Sequence, residues 1–246
     1  MIRSGDVPLR GNATIGGWDV RWLSEPHGGA EFGGDRFVLI DRDGDLWFLL
    51  ADATGHGRAG EPLWEAHGES IYAALREATA GGLASRSSEE RITEFAARVN
   101  ERLVGASSTD EHWPHLCASV GLLTPDGSAT WANFGYGTHV LALTPGGVAW
   151  NDPERLFGIK LGWLDPNQWR RAPRAVVVNQ ARSVDRLVLL TDGFLPDDHC
   201  DIDATLAKLR AVGEPCRGLR RDEVIPHVLT ECPHDHDDAT LLVVEG

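Results

Sequence analysis

The stretch from Leu49 to Gly57, LLADATGHG, limits the fold of this chain more than any other. The apolar run Leu46 to Ala51 reads as a buried strand. Asp52 then sits where that strand ends and the backbone turns. Ala53, Thr54 and Gly55 carry little bulk, and Gly55 and Gly57 allow backbone angles closed to other residues. A carboxylate at a strand end, beside exposed backbone, suits a hard cation that prefers oxygen ligands. Asp52 is therefore expected at the centre of a metal site assembled from distant parts of the chain.

Composition narrows the partners. The 246 residues suffice for one large domain or two small ones with a substantial core. The formal net charge is −14. A field of that sign disfavours nucleic acid and anionic membranes, which call for a basic face. Cys117, Cys200, Cys216 and Cys232 are widely spaced and form no C-x-x-C pair, so neither a disulfide framework nor a zinc knuckle is expected. Reduced thiols in a cytoplasm fit that usage. The N-terminus lacks an apolar signal core, and no apolar run reaches the length of a membrane span.

The periodicity alternates between strand and helix. Residues 1–17 are polar and Gly-rich and read as a loose lead-in. Trp18–Ser24, Phe37–Asp41 and Leu46–Ala51 are expected strands, the last two joined by a hairpin turn on Asp43-Gly44. Alternating Asp41, Asp43 and Asp45 do not make an EF-hand loop, because glycine stands at the fourth rather than the sixth position. Between Glu61 and Ala80, the residues Leu63, His67, Ile71, Ala74, Leu75 and Ala78 share a helical face. A second helix opens at a Ser87/Glu90 capping box, with the stripe Ile92, Phe95, Ala96, Val99 and Leu103. Cys117–Thr124, Ala129–Phe134 and Val140–Thr144 read as an antiparallel meander. Residues 151–172 read as an irregular excursion, and Ala175–Val178 and Arg186–Leu190 as further strands. Helices at 201–212 and 221–230 precede a last strand in ATLLVVE. The pattern is an α+β fold with antiparallel sheets and segregated helices.

Four carboxylate positions share one context. Asp35 follows Gly33-Gly34, Asp52 ends a strand, Asp192 ends RLVLLT before Gly193, and Asp237 and Asp238 precede the final strand. Apolar strands deliver such ends to one edge of a sandwich. Two like charges 4 Å apart repel by about 4 kcal/mol at an effective dielectric of 20. Convergence therefore asks for divalent cations, and all-oxygen donors favour Mg²⁺ or Mn²⁺ over zinc. Two such ions activate water and neutralise a phosphoryl transition state.

The segments GGDRF, DATGHG, LLTDG and DDATLLVV, in that order, resemble the motifs of the PPM-type metal-dependent protein phosphatases, in particular the bacterial SpoIIE-like branch. NFGYGTH at 133–139 is similar to a middle-strand segment of that family. The resemblance runs from about Trp18 to Glu245. It implies one phosphatase domain over 1–246, a sandwich of two antiparallel β-sheets flanked by helix pairs, and two Mn²⁺ or Mg²⁺ ions at one edge. Carried over by position, Asp52 bridges both ions and the Ala53 carbonyl binds the second. Asp192 and Asp237 bind the first, and Asp35 stands beside the second. Asp238 lends support.

The resemblance also implies a reaction: hydrolysis of phosphoserine or phosphothreonine on a protein, by in-line attack of metal-bound water. The substrate it points to is an anti-sigma-factor antagonist of the STAS type. His56 is the candidate acid by type and location, and Arg36 and Arg58 flank the site as candidate phosphate contacts. His234 and His236 read as part of a solvated acidic loop. In relatives the helix pair at 61–104 is regulatory, so a partner or a homodimer contact is expected there. Two other readings are a binuclear hydrolase of small phosphate esters and a non-catalytic phosphoprotein-binding relative. The sequence departs from the family at Val38, where a further Asp is common, and at Leu195-Pro196-Asp197, where Glu-Ala is common.

Overall fold

Two six-stranded antiparallel sheets face one another, and helices cover the outer face of each. This computed structural model describes residues 1–31, 33–53, 61–80, 87–106, 115–150, 159–171, 178–195, 202–232 and 236–246. The strands are β1 (Ile2–Arg3), β2 (Arg10–Ile15), β3 (Trp18–Glu25), β4 (Asp35–Arg42), β5 (Asp45–Ala53), β6 (Leu116–Leu123), β7 (Ala129–Phe134), β8 (Thr138–Thr144), β9 (Gly147–Trp150), β10 (Val178–Ala181), β11 (Arg186–Thr191) and β12 (Ala239–Glu245). The helices are α1 (Glu61–Ala78), α2 (Ser88–Ala106), α3 (Pro166–Arg171), α4 (Ile202–Cys216) and α5 (Val224–Glu231). The first sheet runs β1-β4-β5-β6-β7-β10 and the second β2-β3-β12-β11-β8-β9. None of the helices in the described residues is long and apolar enough to cross a membrane.

The continuous apolar character of β5 has a plain cause: both its faces are covered. Trp47, Leu49, Ala51 and Ala53 pack against α1 and α2, whereas Leu46, Phe48 and Leu50 pack against the second sheet. β4 divides the same way, with Val38 and Ile40 toward the helices and Phe37 and Leu39 toward the other sheet. Each such side chain contributes about 1.5–3 kcal/mol by leaving water. The α2 stripe Ile92, Phe95, Ala96, Val99 and Leu103 is wholly buried, and the capping box forms, with Glu90 N–H donating to Ser87 Oγ at 3.2 Å and Ser87 N–H to Glu90 Oε2 at 2.8 Å. Asp43 and Gly44 both take positive φ, 56° and 90°, as a two-residue hairpin turn of strands twisted like β4 and β5 requires.

Three expectations need correction. Residues 1–17 are not a loose lead-in: β1 pairs with β4, and β2 pairs with β3 along its whole length. These are edge strands, half exposed, so their sequence carries no strong apolar alternation. The three strands from 116 to 144 are not one meander. β6 and β7 pair in the first sheet, but β8 crosses to the second, where it joins β11 and β9. Both faces of β8 are buried, Val140 and Ala142 between the sheets and Leu141 and Leu143 under α4, so pattern alone does not assign its sheet. Residues 175–177 of the strand placed at 175–178 lie outside the described residues, and β10 runs from Val178 to Ala181. Part of the 151–172 excursion is the helix α3, whose Trp169 packs against Phe134.

Candidate metal centre

The side-chain alternation that builds the core also aims the acids. Asp35 opens β4 and Asp52 is the last residue but one of β5, and the two are direct partners in the ladder. Asp35 continues the Phe37–Leu39 face and Asp52 the Phe48–Leu50 face, so both project between the sheets at one rim. In the second sheet β11 ends at Thr191 just as β12 begins at Ala239, and Asp192 and Asp238 flank that edge.

Hydrogen bonds across the gap lock the two rims together. Thr191 Oγ1 donates to Asp35 Oδ2 at 2.7 Å and accepts from Thr240 N–H at 2.8 Å. Asp238 Oδ2 accepts from Gly34 N–H at 2.6 Å and its Oδ1 from His27 N–H at 2.7 Å. Asp238 thus spends both oxygens pinning the glycine bend that precedes Asp35, which makes it a positioning residue. Gly137 does similar work for the other pair. Its carbonyl accepts from Asp192 N–H at 3.0 Å, and a Cβ there would overlap the Asp52 carboxylate. Beneath the acids lies a layer of small polar groups, with Ser24 bonded to Thr240 at 2.9 Å and Ser119 donating to Thr138 at 2.7 Å.

This rim is electrostatically unsatisfied. Burial raises Asp35 well above the usual carboxylate range, the Thr191 hydroxyl opposes the rise, and the charges of Asp192 and Asp238 add to it. Burial also raises Asp52, joined by the charges of Asp192, Asp35 and Asp237 and opposed by Lys160. Asp192 is pushed up to about 7 by burial and by Asp237. Asp35, Asp52 and Asp192 thus each feel the charge of at least one other acid of the rim. Protons or cations must compensate such a set, and its donors are all oxygen, which fits Mg²⁺ or Mn²⁺. Among the described residues no three acidic, histidine or cysteine side chains are already drawn around a single point, so the acids share an edge without forming a closed cage.

The other expected residues fare differently. Ala53 ends β5 with its N–H donating to the Gly34 carbonyl at 3.3 Å. Arg36 faces the helices rather than the acids, as alternation from Asp35 demands. Its Nη1 donates to the carbonyls of Gly33 and Asp35, and its guanidinium lies over the Trp64 ring. That placement commits its Nη1 to the backbone of the Gly33–Asp35 bend. His56, Arg58 and His234 lie outside the described residues. His236 and Asp237 are half-buried neighbours just ahead of β12. Cys117, the ladder partner of Asp52, is a free buried thiol pushed up to about 12 by burial and the Asp52 charge, so it is no nucleophile.

Sequence reasoning missed Thr191, Gly137 and Lys160. The G-Y-G within NFGYGTH was a usable sign of close backbone approach, but nothing in the pattern singled out Thr191 or Lys160.

A two-sheet sandwich with helices outside and acids gathered at one rim is the architecture of the PPM-type, or PP2C, phosphatases. Solved structures bear this out at the level of fold. RsbX in complex with magnesium superposes with a TM-score of 0.64 at 16% identity, covering 96% of this chain and 99% of that one. The PP2C phosphatase domain of SpoIIE from Bacillus subtilis, solved with a fragment of its regulatory domain, gives 0.60 at 15%, covering 96% of this chain and 64% of that one. The catalytic domain of the serine/threonine phosphatase PstP, in complex with two manganese ions, gives 0.58 at 13%, covering 93% and 97%. By sequence, none of the curated proteins matches. The family described as stage II sporulation protein E (SpoIIE) matches residues 42–246, and the chain belongs to that family.

Proposed function

We infer that this protein is a metal-dependent phosphatase that removes phosphate from serine or threonine of a bacterial signalling protein, with an anti-sigma-factor antagonist of the STAS type as its expected substrate. In this reading residues 1–246 act as one phosphatase domain in the cytoplasm. The observation that carries it is the cross-sheet junction of Thr191 with Asp35 and of Asp238 with Gly34. Those bonds bring the acidic ends of four strands to one rim, where burial leaves them in need of cations.

Asp35, Asp52, Asp192 and Asp237, with the Ala53 carbonyl, would hold two Mn²⁺ or Mg²⁺ ions. When bound, such ions supply Lewis acidity toward water and toward the phosphoryl group. The chain supplies the placement. Thr191 orients the Asp35 carboxylate, Gly137 leaves room for that of Asp52, and Asp238 keeps the Gly33-Gly34 bend in register. The inertness of Cys117 is consistent with a mechanism that uses no cysteine nucleophile.

Control through the helix pair is part of the proposal. Trp64 of α1 donates from Nε1 to the Gly34 carbonyl at 2.5 Å, one residue from Asp35. A partner or second copy that moves α1 would thereby move the acidic rim.

The test is manganese-dependent turnover of an aryl phosphate, of phosphorylated STAS-type proteins and of nucleotides, in wild type and Asp192→Asn. Turnover of phosphoprotein that Asp192→Asn abolishes supports the reading. Turnover of nucleotides alone transfers it to small phosphate esters, and tight phosphoprotein binding without turnover makes the protein a binder.

A further inference from the structure

Arg36 turns toward the helices, away from the acidic rim that a phosphoryl dianion would approach. Lys160 stands there. The Asp52 ladder partner Cys117 and the glycine pair of the β7–β8 crossing form its floor. A Cβ on Gly135 would come within 2.6 Å of Cys117 Sγ and 3.0 Å of Lys160 Cγ, so the lysine stem lies flat along this floor. Its ammonium lies 4.8 Å from the centroid of the Tyr136 ring. From there its charge acts on both Asp52 and Asp192, opposing their upward shifts. The residue as a whole is only half buried.

Its backbone is held as firmly as a strand. Leu161 exchanges two hydrogen bonds with Leu116, both 3.0 Å. Asn100, buried in α2, clamps the next residues: its Oδ1 accepts from Gly162 N–H at 2.9 Å and its Nδ2 donates to the Leu164 carbonyl at 2.6 Å. A surface lysine with no task rarely has a stem and backbone so fixed. Ordering one costs side-chain entropy, up to about 2 kcal/mol.

We propose that the Lys160 ammonium grips the phosphoryl oxygens of the substrate at the rim of the acidic cluster. The proposal rests on the phosphatase reading above and adds a substrate-touching residue to it. A phosphate monoester carries two negative charges into a chain with a net charge of −14. An ammonium on the Cys117 side of the acids offsets that repulsion near the place where phosphorus must arrive. Asn100 is then a positioning residue, through which α2 reaches the substrate site.

The test uses the full chain with manganese and compares Lys160→Gln and Lys160→Arg with wild type. It reads inorganic phosphate binding by calorimetry, KM and kcat on a phosphopeptide, and Mn²⁺ affinity by titration without substrate. The expected result is phosphate affinity weaker, and KM higher, by about ten- to a hundredfold in Lys160→Gln, the effect of losing one charge-assisted hydrogen bond. Lys160→Arg restores much of it, and Mn²⁺ binds to Lys160→Gln as tightly as to wild type or more tightly. Unchanged phosphate affinity and KM in Lys160→Gln overturn the proposal, and if Mn²⁺ affinity alone rises, Lys160 is only a counter-ion for the acids. A wild type that neither binds nor hydrolyses phosphate with manganese overturns the phosphatase reading and this proposal together. An active wild type with an indifferent Lys160→Gln overturns the proposal alone.

Discussion

The two helical layers of this molecule bury similar apolar faces but are wired to opposite ends of the sandwich. The α1/α2 layer touches the acidic rim at two points: Trp64 bonds to Gly34, and Asn100 holds the segment that carries Lys160. The α4/α5 side is fastened at the far edge. Arg186, which opens β11, pairs with Glu245, which closes β12, and also donates to the Leu219 carbonyl at 3.1 Å beyond α4. Arg221 pairs with the same Glu245 and with Asp19. Six residues of β11 separate that lattice from Asp192, roughly 20 Å at strand spacing. Burial alone would rank the layers as equals. The polar bonds assign one to the site and the other to the scaffold.

The largest effect expected belongs to the acids themselves. Asp52→Asn and Asp192→Asn should each lower manganese-dependent kcat/KM by about a thousandfold or more, the scale of losing a metal contribution of several kcal/mol. A variant with near-normal turnover would remove that residue from the centre.

Matched truncations in the two layers come next. Ile71→Ala in α1 and Leu209→Ala in α4 both empty fully covered positions and should each cost about 2–5 kcal/mol in denaturant unfolding. Only Ile71→Ala should also weaken Mn²⁺ affinity. Equal effects on metal binding would erase the distinction between the layers.

The acidic rim also predicts a pH signature in metal-free protein. Folded Asp192 holds its proton up to about 7, against 3.8 as the ordinary value. The stability from this raised pKa is therefore full below about pH 4 and is lost as pH rises through 7. Asp35 and Asp52 act in the same direction. Metal-free protein should melt several degrees lower at pH 8 than at pH 5.5. Manganese should close that gap, and Asp192→Asn should flatten it. A melting point that rises with pH in metal-free protein would contradict the account.

The smallest effect concerns a single bond. Trp64→Phe removes the indole donor to Gly34 at a cost of about 1 kcal/mol in stability. Mn²⁺ binding should weaken several-fold, while Arg221→Gln, acting at the far edge, should leave it unchanged. If the two variants behave alike in metal titrations, α1 has no privileged line to the rim.

What the sequence disclosed follows from how local each signal is. The Asp43-Gly44 turn and the α2 stripe are set by residues a few positions apart, and both appear as expected. The strand-end aspartates were legible because each sits at a sharp change from apolar run to turn. Strand ends delivered to one edge made their convergence an expectation, and the family resemblance then implied the ligand set. The lead-in failed because β1 spans only two residues and β2 fills its inward positions Gly11 and Ala13 with small groups, which weakens the alternation signal. β8 failed because a strand covered on both faces carries no mark of the sheet it joins. Arg36 is next to Asp35 in sequence but points to the opposite face of β4, as neighbours in a strand do. Lys160 was invisible because its partners Tyr136, Cys117 and Asp52 lie 24 or more positions away and meet it only in the folded chain.

The central claim is that one rim of this sandwich is a two-ion site. The measurement that tests it most directly is an anomalous difference map from crystals of the full chain grown with manganese. The account predicts two peaks enclosed by Asp35, Asp52, Asp192 and Asp237. A map with no peak among them, or with those four carboxylates in separate surroundings, would contradict it.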